Sequence, residues 1–112
     1  MKRWIPDRGH AVWIDMDPQA GHEQGRRPAI ILSPAEYNGK VGLALMCPIT
    51  SQAKGYPFEV LLPVGSKISG AILSDQLKSL DWRGRRATMI FSLPGPVVDE
   101  VLSKLSTLLQ PV

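Results

Sequence analysis

The sequence predicts a mainly β fold, a small barrel or sandwich with one C-terminal amphipathic helix. Pro and Gly number 10 each and punctuate a series of short apolar runs, a spacing that suits many short strands better than long helices. Aromatics are only 6% of the chain, so Val, Ile, Leu and Ala must fill the core. Near the C-terminus the apolar period changes from two to the helical 3.6.

The elements follow in order. His10 to Met16 (HAVWIDM) alternates and reads as a strand. Asp17 to Arg26 is polar and carries Pro18, Gly21 and Gly25, a loop. Pro28 to Leu32 (PAIIL) is apolar and β-branched, a buried strand. Ser33-Pro34 and Asn38-Gly39 bracket a turn or short helical segment. Gly42 to Thr50 (GLALMCPIT) is the third strand, Ser51 to Tyr56 a polar loop, Phe58 to Leu62 the fourth strand, and Pro63 to Ser69 a turn. Ala71 to Leu80 alternates, but neither face is purely apolar, which predicts a bend or bulge near Asp75. Arg86 to Phe91 is the last strand. Val97, Val98, Val101, Leu102, Leu105, Leu108 and Leu109 follow helical spacing. Pro96 suits the first helical position, Asp99 and Glu100 the first turn, and Glu100 and Lys104 form an i,i+4 pair.

The 112 residues fit one domain, expected to span 1–112, large enough to bury a core without disulfides or metals. The 13 Lys and Arg against 10 Asp and Glu give a net charge of +3, which permits a polyanionic partner without demanding one. Cys47 is the only cysteine, so an intrachain disulfide is excluded. No signal peptide and no membrane-spanning run are visible, and the expected location is cytoplasmic.

Much chemistry is excluded. Two histidines and one cysteine are too few for a His/Cys zinc site, and no carboxylate cluster has two-metal spacing. A nucleophile elbow, a Walker A loop and a dinucleotide-binding glycine motif are all missing. No cofactor and no metal are expected.

Three polar constellations remain. Gly21-His22-Glu23-Gln24-Gly25-Arg26-Arg27-Pro28 packs a His, a carboxylate, an amide and two guanidiniums between two strands. Arg27 directly precedes an apolar strand, so its root is anchored while its forked head stays free for phosphate; alternatively the loop is a solvated hairpin whose charges pair with each other. In Thr50-Ser51-Gln52-Ala53-Lys54, hydroxyls, an amide and an ammonium follow a buried strand, where they could hold phosphate or read a base edge or merely make a polar turn. Ser74-Asp75-Gln76-Leu77-Lys78-Ser79 places charge on a strand, and Asp81-Trp82-Arg83-Gly84-Arg85-Arg86 sets a basic stretch beside an aromatic. These could track a nucleic-acid backbone and stack a base, or be a charge-protected edge strand with Trp82 in the core. Together they make a metal-free phosphate site conceivable, because RNA supplies its own nucleophile, the 2′-hydroxyl.

The same stretches resemble the MazF/PemK (Kid-like) toxin family, and its MazF branch most. The resemblance rests on Trp13-Ile14-Asp15-Met16-Asp17-Pro18, Glu23-Gln24, Arg27-Pro28-Ala29, Leu32-Ser33-Pro34, Tyr37-Asn38, Pro48-Ile49-Thr50, Lys54-Gly55-Tyr56-Pro57-Phe58-Glu59-Val60, Asp75-Gln76, Lys78-Ser79 and Asp81-Trp82-Arg83, in order and nearly end to end. It implies an SH3-like, partly open barrel (MazF/CcdB-like) with a C-terminal helix, acting as a homodimer. It implies the toxin of a type II toxin–antitoxin system: a metal-independent, sequence-specific endoribonuclease (mRNA interferase). Such an enzyme cuts single-stranded RNA (mRNA) to 2′,3′-cyclic phosphate and 5′-hydroxyl ends. A cognate MazE-like antitoxin would block the RNA groove with an acidic tail.

By the same resemblance Arg27, Thr50 and Glu23 are catalytic. The resemblance also implies that Gln24, Asp75 and Gln76 line the RNA groove; His22, Ser51, Gln52, Lys54 and Lys78, from the polar constellations, are expected to contact RNA, with the His22 imidazole an alternative acid or base. Leu73 stands where Kid-like relatives carry an arginine paired with the aspartate that Asp75 matches. The competing reading is a non-catalytic CcdB-like gyrase poison or RNA-binding module on the same fold; the intact Arg27 and Thr50 pair argues against it.

Overall fold

In a computed structural model describing residues 3–16 and 25–111, seven antiparallel strands and two helices form. The strands are β1 (His10–Asp15), β2 (Arg26–Ile31), β3 (Leu43–Thr50), β4 (Glu59–Leu61), β5 (Ala71–Leu73), β6 (Lys78–Asp81) and β7 (Thr88–Ser92). Helix α1 (Ala35–Val41) joins β2 to β3, and α2 (Gly95–Leu109) ends the chain. The sheet runs β4-β5-β3-β2-β1-β7, with β6 also on β3.

Alternation along β1 and β2 splits the core in two. Ala11 and Ile30 join Cys47, Ile49, Val60 and Ile72 on the face that α2 covers with Val98, Val101 and Leu105. Val12, Ile14, Ala29 and Ile31 join Ala44, Met46 and Trp82 on the other. Both faces bury apolar side chains, which explains why Pro28 to Leu32 reads as a continuous apolar run.

Strand β3 organises the sheet. Its first half pairs with β6, Leu43 with Asp81 through Met46 with Lys78. Its middle pairs with β2, Ala29 with Pro48 through Ile31 with Met46. Its end leaves β2 and pairs with β5, Ile49 with Ile72 and Thr50 with Ala71. Pro28 and Pro48 lack the N–H that a continued β2–β3 ladder needs.

The predicted strand from Ala71 to Leu80 is interrupted. Three steps along β3, from Ile49 to Met46, correspond to six on the partner, from Ile72 to Lys78. The surplus residues bulge out at Ser74–Leu77, the bend expected near Asp75. The last strand begins at Thr88 rather than Arg86, because Arg86 has φ 56 and belongs to a turn. Arg26, read as loop, is the first residue of β2.

Helix α2 starts one residue early, at Gly95, so Pro96 takes the second position and the first turn holds no carboxylate. Asp99 and Glu100 therefore sit too far along to favour the helix dipole, contrary to expectation. The Glu100 and Lys104 pair does form, at 3.5 Å. The Lys104 ammonium also donates to the carbonyls of Pro57 at 2.7 Å and Glu59 at 3.1 Å, tying α2 to β4.

A polar hub holds α1 against the sheet. Asn38 is fully buried. Its Nδ2 donates to the Pro6 carbonyl at 2.8 Å and the Ser33 carbonyl at 3.0 Å, and its Oδ1 accepts from Ser33 Oγ at 2.6 Å. Its backbone carbonyl accepts from the Gly42 N–H and from Trp82 Nε1, both at 3.0 Å. Gly42 takes the left-handed φ of 82 that ends the helix. Asn38→Ala leaves several buried groups unpaired and should lower the unfolding free energy by about 3 kcal/mol. Urea unfolding of the two proteins checks this; a loss below about 1 kcal/mol contradicts the hub's role.

Candidate functional site

The local folding of four segments builds a cleft of about 820 Å³ around the place where β3 leaves β2. Strands β1 and β2 supply Trp13, Arg26, Arg27 and Pro28; the end of β3 and its following loop supply Thr50, Ser51 and Gln52; the bulge and β6 supply Gln76 and Lys78. The β4–β5 loop adds Lys67, Ile68 and Ser69. The lining carries four cations, Arg26, Arg27, Lys67 and Lys78, and no carboxylate among the described residues. A concave surface of one sign focuses positive potential.

The two arginines have different work. Arg26 is engaged: Nη1 donates to Asp15 Oδ1 at 3.1 Å, and Nη2 donates to the Arg86 carbonyl at 2.9 Å and Thr88 Oγ1 at 3.0 Å. Asp15 also accepts from Arg86 Nε at 2.7 Å, a hydrogen bond that, with Arg26, holds its carboxyl below the usual range. The Met16 N–H donates to the Gly25 carbonyl at 2.7 Å. The two ends of the 17–24 segment are thereby clamped. Arg27 is exposed, lines the cleft, and makes no hydrogen bond or ion pair to any described residue.

Thr50 is set with similar care. Gly70 lies so close that a Cβ there would meet the Thr50 carbonyl oxygen at 1.9 Å, and its φ of 129 also suits glycine. Thr50 Oγ1 accepts the Gln52 N–H at 3.1 Å, which leaves the hydroxyl proton free to donate into the cleft. The following loop is pinned by buried Glu59, whose carboxylate accepts the N–H groups of Lys54 and Gly55, the shortest at 2.7 Å.

The predicted residues thus divide. Arg27, Thr50, Ser51, Gln52, Gln76 and Lys78 share the cleft. Lys54 is exposed outside its lining. Asp75 also lies outside it and accepts from the Tyr56 hydroxyl at 2.6 Å. His22, Glu23 and Gln24 lie outside the described residues. Trp82 is no stacking platform: it is 4% exposed, in the core, with Arg83 stacked on it at 4.4 Å. Nor does the basic stretch track a cleft, since Arg85 donates to the carbonyls of Asp15 and Met16, and Arg86 to the Asp15 carboxylate.

The sequence reading missed Trp13 and Lys67. Trp13 is 37% exposed in the cleft wall, which alternation with buried Val12 and Ile14 could have revealed; no motif marked Lys67. Cys47 is inert, because burial first and the Asp75 charge second push its thiol up to about 12. Among the described residues no three His, Cys, Asp or Glu side chains converge as metal ligands.

The hydrogen bond to Asp75 pushes the Tyr56 phenol up to about 12. A free tyrosine titrates near about 10, so this bond stabilises the fold fully below about pH 10 and is lost as pH rises toward about 12. Ultraviolet titration should show Tyr56 ionising late in the native protein and earlier in Asp75→Asn. An unchanged curve contradicts the contact.

A family model for the PemK-like, MazF-like toxins of type II toxin–antitoxin systems matches residues 7–109. The chain is 44% identical over 110 residues to the endoribonuclease toxin MazF of Escherichia coli K12, covering 97% of this chain and 98% of that protein. It is 36% identical over 108 residues to Escherichia coli endoribonuclease PemK, covering 92% and 81%. The crystal structure of Deinococcus radiodurans MazF matches with a TM-score of 0.88 and 56% identity, covering 96% and 98%. A MazE–MazF complex structure from the same organism matches with a TM-score of 0.86 and 50% identity, covering 96% and 97%. Cleft, fold and kinship agree, and the chain belongs to the PemK/MazF-like family of toxins of type II toxin–antitoxin systems.

Proposed function

We propose that the chain is the endoribonuclease toxin of a type II toxin–antitoxin system, cutting single-stranded RNA without a metal cofactor, as a single 1–112 domain in a cytoplasmic homodimer. The observation that carries this reading is one cleft in which Arg27 and Thr50 stand with three further cations, Arg26, Lys67 and Lys78, and no carboxylate in its described lining. The named activity of the MazF and PemK relatives supports it. The MazE–MazF assemblies of similar structures support a MazE-like antitoxin as partner. An acidic tail laid in this cleft would meet the same cations as RNA.

In the proposed reaction the 2′-oxygen bonds to the adjacent phosphorus and the P–O5′ bond breaks. The products are a 2′,3′-cyclic phosphate and a 5′-hydroxyl. The 2′-hydroxyl proton passes to a base, and the leaving O5′ takes up a proton. Guanidiniums in proteins keep their protons, so Arg27 serves by binding the phosphate and the charge that grows on it in the transition state. Thr50 donates its hydroxyl to a phosphate oxygen. Glu23 is proposed as a third catalytic residue, His22 as an alternative acid or base, and Gln24 as an RNA contact. Ser51, Gln52, Gln76 and Lys78 would contact flanking nucleotides. Lys54 and Asp75, outside the cleft lining, would meet RNA only beyond its rim.

The test is cleavage of a long single-stranded RNA in excess EDTA, with the ends mapped. Discrete cuts leaving cyclic phosphates are expected. Arg27→Ala should fold, melt like the parent, and lose at least roughly 10²–10³-fold in rate. A folded Arg27→Ala protein with full activity, or a parent that cuts only with added metal, would refute the proposal.

A further inference from the structure

The β4 and β7 ends of the sheet are its two outer edges, with four strands between them in pairing order. Yet the β4–β5 loop reaches β7: Lys67 Nζ donates to the Ile90 carbonyl at 3.5 Å. That long contact is the only partner of the ammonium among the described residues, and Lys67 is exposed at the cleft. Its neighbour Ile68 packs against the α2-side core, as does Ile90. The loop holding it is ordered by a turn in which Ser66 donates from N and from Oγ to the Pro63 carbonyl, at 3.2 Å and 2.6 Å. At its far end Gly70 abuts the Thr50 carbonyl, and its own carbonyl accepts the Leu62 N–H at 3.0 Å.

Lys67 is therefore a charge on a flexible four-carbon stem, set in the cleft lining by a loop whose end at Gly70 abuts Thr50. Of the other three cations, Arg26 commits both Nη atoms to Asp15, Arg86 and Thr88, and Arg27 and Lys78 arise from the β2 and β6 walls. The geometry points to Lys67 as a phosphate-binding residue for the RNA backbone, holding a phosphate other than the one between Arg27 and Thr50. The strand then runs across the cleft from Arg27 on β2 toward the β4–β5 loop. In the complex Lys67 exchanges its weak carbonyl contact for a phosphate oxygen. A lysine suits this role, since it acts as a point charge and reads no base.

This inference rests on the endoribonuclease reading, and the experiment separates the two. Binding of an uncleavable 2′-O-methyl oligonucleotide is measured across a salt series, and kcat and KM are measured on the matching RNA. Lys67→Gln should weaken binding and raise KM by about five- to tenfold, leave kcat within about twofold, and flatten the log–log salt slope by about 0.7, one single-strand phosphate contact. Lys67→Arg should restore all three. Lys67→Gln that binds with the parent's affinity and salt slope overturns the inference while leaving the endoribonuclease reading intact. A fall in kcat at unchanged KM also overturns it, since that is the mark of a group used in the chemical step or of a damaged fold. A parent protein that neither binds the oligonucleotide nor cuts RNA overturns both.

Discussion

Everything in the cleft depends on β3 changing partners. The strand begins between β6 and β2 and ends against β5. At the change stand Pro28 and Pro48, which cannot donate to a ladder. Past that point β2 and β3 no longer bond to one another, and the space between them is the cleft. Arg27 and Thr50 sit beside it, one on each diverging strand. A β2–β3 ladder continued in register would pair those two residues and close the space the cleft occupies.

Opening a sheet leaves backbone groups and loop ends that need other partners. Three anchors supply them. Asp15, Arg26 and Arg86 clamp the ends of the 17–24 segment. Glu59 gathers the N–H groups of the loop after β3. Gly70 seats β5 against the Thr50 backbone, a fit that any side chain would prevent. Charged residues that look like RNA contacts in the sequence are thus partly the frame that holds the real lining. Arg26 beside Arg27 is the clearest case: adjacent residues of the same type, one bound to Asp15 and Thr88, the other without a partner among the described residues.

Much of the fold was legible because its signals are local. Alternation marked β1, apolar runs between turn residues marked β2, β3 and β4, and the helical period marked α2. The surplus residues at Ser74–Leu77 showed as an apolar pattern that fits neither face. What was hidden depends on register or distance. Whether Trp82 stacks a base or fills the core is decided by the α1 carbonyl it meets, more than forty positions away, at Asn38. The split of Ala71 to Leu80 into β5 and β6 follows from pairing with β3, which no single-strand pattern reports. The first-turn assignment of Asp99 failed because Gly95, a poor helix former, nevertheless opens α2. For the site, the motifs located Arg27, Thr50 and their loops. Lys67 went unseen because its importance comes from a loop bridging two sheet edges.

The central claim is that Arg27 and Thr50, brought together where β3 leaves β2, act on one phosphate. A double-mutant cycle on the cleavage rate addresses it most directly, comparing Arg27→Ala, Thr50→Val and the double variant, each verified as folded. Residues acting as a unit on one group are strongly non-additive. The double variant should therefore be about as slow as the slower single variant. Losses that multiply in full would mean that the two residues work on separate groups, and would contradict the account.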